Sequence, residues 1–95
     1  MENSEISAVF NDIAAMLELK KDNIFKIRAY RKVARSIEEL NVPVVRLAGE
    51  GRLQEISGAG EAIMKKITEL VNTGKLDYYE KLRAEFPEHT PSARG

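Results

Sequence analysis

Apolar residues recur at three- and four-residue steps along most of the chain, which is the spacing of helices that bury one side. This pattern predicts a first helix over residues 4–19 with Ser4 as its N-cap, and a second helix from its cap Asn23 to about Leu40. Shorter helices are predicted after Pro43, over residues 52–55 and 60–73, and from Asp77 to Pro87. No strand is predicted, so we expect an all-α fold, a compact bundle of about four to five short helices.

The end of the chain is predicted to differ from the rest. Asp77 and Glu80 have the spacing of a capping box that would begin the last helix, and Gly74 suits the end of the helix before it. We therefore expect one domain over residues 1–87 and a flexible tail over residues 88–95. His89 stands in this polar tail without a partner in the sequence pattern and is predicted to be inert.

The composition argues against several classes of site. The chain has 95 residues, no cysteine and one histidine, so disulfides, thiolate metal sites and zinc sites are not expected. No apolar run approaches the roughly 18 residues of a membrane span, and the first residues lack the basic and apolar regions of a signal peptide. We expect a cytoplasmic protein that requires no cofactor and has no membrane partner.

Charge is unevenly distributed, although the chain is neutral overall with 15 basic and 15 acidic residues. Residues 20–35 carry seven basic residues against one acid, Asp22. On the second helix, the side opposite the apolar stripe holds four of them: Arg28, Arg31, Lys32 and Arg35. This side predicts contacts with nucleic-acid phosphates. The alternatives are a solvated helix face and a surface for an acidic protein partner.

A Gly-x-Gly sequence stands directly before a strongly helical segment. Gly58 and Gly60 allow the backbone to turn sharply with positive φ and to approach a ligand without a Cβ. The amides of Gly58, Ala59 and Gly60, with the start of the helix, would bind an anion. Leu53 and Ile56 before the turn extend the apolar pattern, which indicates a helix-hairpin-helix motif. Such motifs bind the nucleic-acid backbone without recognising the base sequence. The alternative is a purely structural turn.

Lys66 is the candidate reactive residue. It lies at the edge of the apolar stripe formed by Ile63, Ile67 and Leu70, whereas Lys65 points away from that stripe. Partial burial and nearby positive charge lower the pKa of a lysine, and the free amine can attack an aldehyde carbon to form a Schiff base. The alternative is a lysine whose stem covers the core while its charge stays in water.

Three segments together resemble a known family. They are FKIRAYRKVARSIEEL at residues 25–40, GRLQEISGAGEAIMKKI at 51–67 and NTGKLDYYEKL at 72–82. In this order and spacing they resemble the N-terminal lyase-type domain of family X DNA polymerases, in the DNA polymerase beta group and especially its bacterial and archaeal members. The resemblance implies binding at the 5′-phosphate side of a DNA gap, as in base excision repair, and association with the nucleoid.

The resemblance also implies roles for individual residues. By position, Lys66 matches the lysine with which some members form a Schiff base to remove a 5′-deoxyribose phosphate by β-elimination. Lys26 and Tyr30 match the family's phosphate-pocket lysine and its neighbouring tyrosine, and Lys65 is a further candidate DNA contact. The backbone carbonyls implied to hold a monovalent cation, Na⁺ or K⁺, are those of Gln54, Ile56 and Ala59.

The sequence departs from the family pattern around the hairpin. Lyase-active relatives carry further lysines at positions that here hold Gln54, Glu55 and Ala62. Lys65 replaces an acid and Ser57 replaces a proline. Fewer cations therefore converge on a 5′-phosphate. The polymerase carboxylates have no counterpart in this sequence, so the chain is not expected to polymerise DNA; it would be fused to, or associated with, a polymerase core.

Three functions remain open at the level of sequence. The first is binding of gapped or 5′-phosphorylated DNA without base-sequence specificity. The second is a 5′-deoxyribose-phosphate or abasic-site lyase, in which Lys66 forms the imine while Lys26 and Tyr30 hold the phosphate. The third is a protein-interaction module that presents the basic helix to an acidic partner.

Overall fold

The computed structural model describes residues 1–89, which form five α-helices and one short 3₁₀ helix. The helices are α1 (Asn3–Leu19), α2 (Ile24–Glu38), α3 (Val44–Gly49), the 3₁₀ helix (Leu53–Glu55), α4 (Glu61–Thr73) and α5 (Asp77–Glu85). The all-α prediction is confirmed, and the described residues include no strand. Within them, no helix has both the length and the apolar character needed to cross a membrane. The predicted tail beyond residue 89 lies outside the described residues.

The core is built mainly where α1 packs against α2. Phe10 and Ile13 of α1 and Val33 and Ile37 of α2 are completely buried in it. The other elements cover the edges of this pair: α5 packs on α1, and α3 packs on α4 and on the 3₁₀ helix. Because the apolar side of α2 is used in this way, its basic side faces solvent.

Some helix ends follow the sequence signals and others do not. The Asn23 side chain accepts a hydrogen bond from the Phe25 N–H at 2.8 Å, which confirms the predicted cap. Gly74 ends α4 with a φ of 75°, in the left-handed region that glycine favours. The prediction that Ser4 is the N-cap of α1 is wrong. The helix begins at Asn3 with Glu2 as its N-cap, and the Glu2 N–H donates to Glu5 Oε1 at 2.9 Å.

The start of α5 also differs from its prediction. Asp77 is the first helical residue and the N-cap is Leu76, so Asp77 and Glu80 do not form a capping box. The Asp77 N–H instead donates to Glu69 Oε2 of α4 at 2.8 Å. A carboxylate from the preceding helix thus satisfies a free amide of the next one, which fixes α5 against α4.

A buried carboxylate joins α1 to the end of the chain. Asp12 is only 3% exposed, and it accepts a hydrogen bond from the Tyr79 hydroxyl at 2.7 Å. The prediction that His89 has no partner holds only for hydrogen bonds within the described residues: its Nε2 makes none, but it lies 3.7 Å from Asp12 Oδ1, close enough for an ion pair when the imidazole is protonated. After α5 the chain turns back, with the His89 N–H donating to the Phe86 carbonyl, and this brings the imidazole to α1.

The buried tyrosines predict a loss of stability in alkaline solution. Burial raises the pKa of Tyr30, helped by the neighbouring Tyr78, and burial and the Asp12 carboxylate raise the pKa of Tyr79. Both folded-state pKa values therefore lie above the unfolded value of about 10. Their contribution to stability is complete below that pH and decreases as the pH rises above it, because the unfolded chain loses the protons first. Urea unfolding at a series of alkaline pH values checks this. Tyr79→Phe is expected to reduce the slope of the free energy of unfolding against pH.

Candidate nucleic-acid interface

The turn before α4 has one position with positive φ. The Ala59 N–H donates to the Ile56 carbonyl at 3.1 Å, which closes a four-residue turn. Gly58, its third residue, has a φ of 85°, as a type II turn requires. Ser57 occupies the second position, where proline is common. Gly60 has a φ of −75° and a ψ of 177°, which any residue adopts, so only one of the two glycines provides the positive φ that was expected of the pair.

Most of the amides predicted to bind an anion are accessible. Residues 57, 58 and 60 are exposed, and Ala59 is half-buried. The N–H groups of Gly58, Gly60 and the first turn of α4 donate to no acceptor within residues 1–89. The prediction for Ala59 is not supported, since its N–H is used to close the turn. The remaining amides lie at the positive end of the α4 dipole, which favours an anion.

The Lys32 side chain connects the basic side of α2 to this turn. A Cβ built on Gly58 would lie 3.1 Å from both Cγ and Cδ of Lys32, so the lysine stem lies directly against the glycine. This contact brings together two residues that are 26 positions apart in the sequence and that the helical pattern alone could not relate. The ammonium of Lys32 forms no ion pair within the described residues.

The other predicted basic contacts divide into two groups. Arg28 and Arg35 are exposed and, like Lys32, have no acidic partner within residues 1–89. Arg31 donates to Glu18 Oε1 of α1 at 2.8 Å, so its charge is shared with an acid. Lys26 lies 4.0 Å from Asp22 and Lys65 lies 3.9 Å from Glu61, both at exposed positions where such pairs are weak.

The first helix of the hairpin is electrically neutralised. Arg52 binds both carboxylate oxygens of Glu55, with an Nε–Oε2 distance of 2.7 Å, and its Nη1 lies 2.6 Å from Glu50 Oε1. Arg52 lowers the pKa of the Glu55 carboxyl through the hydrogen bonds between them. With Gln54 also uncharged, this side of the turn adds no free cation to the interface.

Lys66 lies in a cleft between α4 and α5 that has a volume of about 380 Å³. Its side chain is half-buried, and its Nζ lies 4.8 Å from the centre of the Tyr78 ring. Burial lowers the pKa of Lys66, the positive charge of Lys26 lowers it further, and Glu69 opposes both. The sequence-based expectation of a partly desolvated lysine with a lowered pKa is confirmed.

Tyr30 belongs to a column of three aromatic rings. Its centroid lies 5.9 Å from that of Phe10 and 6.3 Å from that of Tyr78, with both pairs inclined by 16°. Tyr30 is 4% exposed, so the residue matched to the phosphate-pocket tyrosine is largely enclosed. The sequence did not distinguish Tyr78 from an ordinary surface aromatic; its contacts with Tyr30 and Lys66 depend on the packing of α5.

The carbonyls expected to hold a monovalent cation all belong to the hairpin. That of Ile56 accepts the Ala59 N–H, which leaves its second lone pair for another partner. Neutral backbone oxygens fit Na⁺ or K⁺ better than a transition metal. Within residues 1–89, no three His, Cys, Asp or Glu side chains are grouped as a metal site would need.

Comparison with known proteins identifies the class. Residues 1–76 match the family model described as a helix-hairpin-helix domain, so the chain belongs to the helix-hairpin-helix domain family. The chain is also 33% identical over 88 residues to the N-terminal region of the DNA polymerase/3′-5′ exonuclease PolX of Bacillus subtilis (strain 168), a family X DNA polymerase. That alignment covers 93% of this chain and 15% of the polymerase. The resemblance to family X polymerases is thereby confirmed.

Gly58→Ala is expected to lower the free energy of unfolding by about 1–2 kcal/mol, because an L-residue is strained at positive φ. The added Cβ also meets the Lys32 stem. Gly60→Ala is the matched control: a Cβ at residue 60 has no atom within 4 Å and its φ suits any residue. The cost of alanine at this N-cap and the gain from a less flexible unfolded chain oppose each other, so the free energy of unfolding should change by less than about 0.5 kcal/mol. Urea denaturation measures both, and equal losses in the two variants would contradict the assigned turn.

Proposed function

We propose that this domain binds the DNA backbone without reading base sequence, at a gap or at a 5′-phosphorylated end. Family membership and the polymerase relative support DNA binding in a polymerase context. The observation that carries the proposal is the contact of Lys32 with Gly58, which puts the stem of an unpaired lysine against the turn that carries free amides. Amides and a cation together are the groups that bind a phosphate.

Gly60 supports the same assignment. Its φ is open to any residue and the space around it is free, so neither backbone strain nor packing requires a glycine, although glycine suits the N-cap position that it occupies. A phosphate held by the N–H groups of residues 58 and 60 would come close to this backbone. The absence of a side chain keeps that approach open. The carbonyls of Gln54, Ile56 and Ala59 would hold a monovalent cation on the same turn.

The basic side of α2 would extend the contact along the strand. Arg28, Lys32 and Arg35 are free to pair with successive phosphates, whereas Arg31 must share its charge with Glu18. Contacts of this kind release counterions, so binding should weaken steeply with salt and vary little with base sequence.

Lys32→Ala is expected to weaken binding to gapped DNA several-fold and to reduce the slope of log affinity against log salt by about 1, since one phosphate contact is lost. Lys75→Ala is the charge-matched control. Lys75 is exposed and follows the far end of α4, whose 13 residues extend about 20 Å. Fluorescence anisotropy on gapped DNA, with and without the 5′-phosphate, gives both quantities.

Three results would count against the proposal. These are binding that ignores salt, equal losses in the two variants, and no preference for a gap or a 5′-phosphate. If the domain instead captures an acidic protein after nuclease treatment and does not bind DNA, the protein-interaction reading is favoured.

A lyase activity is the second candidate, and the lowered pKa of the half-buried Lys66 favours it. The Lys66 amine would attack the C1′ aldehyde of an incised abasic sugar, and loss of water would give an imine. Removal of a C2′ proton by a base would then expel the 3′ phosphate, and water would release the sugar from the lysine. Lys26, whose charge acts on Lys66, would attract the 5′-phosphate, and Tyr30 stacks on the Tyr78 ring beside Lys66.

Borohydride trapping on an incised abasic substrate tests this activity. We expect a covalent adduct with the native protein, none with Lys66→Ala, and an undiminished adduct with Lys65→Ala, because Lys65 is solvent-exposed and lies beside Glu61. An adduct that persists in Lys66→Ala, or no adduct with the native protein, would end the lyase hypothesis while leaving the DNA-binding proposal intact.

A further inference from the structure

The aromatic column ends on the ammonium of Lys66. Phe10 is completely buried in α1, Tyr30 in α2 is 4% exposed, and Tyr78 in α5 is the outermost ring. The two buried rings beneath it therefore fix the position of the Tyr78 ring. The Lys66 Nζ stands 4.8 Å from the centre of that ring, within the range of a cation–π interaction. Such an interaction stabilises the ammonium and not the neutral amine.

The charge of Lys66 is set by opposing influences. Burial and the positive charge of Lys26, on α2, lower its pKa. The Glu69 carboxylate, on α4 itself, raises it, but Oε2 of Glu69 also accepts the Asp77 N–H at 2.8 Å. The remaining charged groups of the cleft are already close to opposite charges: Lys81 lies 3.0 Å from Asp77, and Lys65 lies 3.9 Å from Glu61. The ring face of Tyr78 is thus, beside Glu69, a second group placed to favour the charged form.

We propose that Tyr78 is a positioning residue that holds Lys66 over the cleft as an ammonium, which suits the cleft to an anion such as a DNA 5′-phosphate and restrains imine formation. This deepens the proposed function and rests on it for the identity of the anion. The effect of Tyr78 on Lys66 is a property of the free protein, so it can be measured without DNA.

The first experiment compares Tyr78→Leu with Tyr78→Phe. Leucine keeps much of the apolar bulk but has no ring face, whereas phenylalanine keeps the face and loses only the hydroxyl. NMR follows the side-chain resonances of Lys66, assigned by their loss in Lys66→Arg, through alkaline pH. In Tyr78→Leu we expect Lys66 to lose its proton at lower pH, so that the free amine at neutral pH rises about two- to fivefold. Below the pH of about 10 at which tyrosine hydroxyls ionise, Lys66 in Tyr78→Phe should titrate as in the native protein.

The second experiment measures imine formation by Lys66 and the binding of 5′-phosphorylated DNA. In Tyr78→Leu the rate of borohydride trapping at neutral pH should rise by a similar factor, while the affinity for a 5′-phosphorylated gap should fall. Tyr78→Met, which also lacks a ring, replaces Tyr78→Leu if thermal melting shows that the leucine variant is unfolded.

The inference is overturned if the titration of Lys66 is unchanged in the ringless variant, or if Tyr78→Phe shifts it as much. Either result would mean that Tyr78 only fills space. A shifted titration together with no DNA binding by the native protein would support the role of Tyr78 and refute the proposed function, so the two failures are distinguishable.

Discussion

The packing of α1 against α2 determines where the functional groups of this domain lie. Burial of Val33 and Ile37 commits one side of α2 to the core and turns the basic side outward. On that basic side, Lys32 lies along Gly58 and so joins α2 to the turn before α4. The inner side carries Tyr30, which stacks on Phe10 and supports the ring next to Lys66. One apolar interface therefore positions both the candidate phosphate site and the candidate reactive lysine.

The positive charge of the interface comes from the distribution of charged residues and not from the net charge of the chain. The chain is neutral, yet Arg28, Lys32 and Arg35 form a free cationic surface within the described residues because the nearby acids are engaged elsewhere. Glu18 is bound to Arg31, and the acids of the hairpin's first helix are bound to Arg52. Pairing of acids with particular arginines leaves a limited set of cations for a ligand. It also makes the two halves of the hairpin differ in charge: one side offers free amides and Lys32, and the other is a neutral cluster of paired charges.

Sequence reasoning succeeded where a signal is local. Helical periodicity predicted the elements, the position of Gly58 predicted a turn with positive φ, and the place of Lys66 beside the apolar stripe predicted its partial burial. It failed where two distant segments meet. Glu69 caps α5 and Tyr78 covers Lys66, and neither contact has a spacing rule. The cap of α1 was misplaced because Ser4 is the better intrinsic cap, whereas the chain uses the reciprocal pair of Glu2 and Glu5.

The contact between Asp12 and the end of the chain has a consequence for the extent of the folding unit. Asp12 lies in the middle of α1, yet one of its neighbours, His89, comes after the last helix. Contacts within the described residues therefore extend past the last helix and past the expected domain boundary at residue 87. A fragment trimmed to the end of α5 would keep every helix but lose the imidazole that lies beside this carboxylate, which is 3% exposed in the folded chain. Expression fragments and fusion junctions should accordingly be placed beyond residue 89.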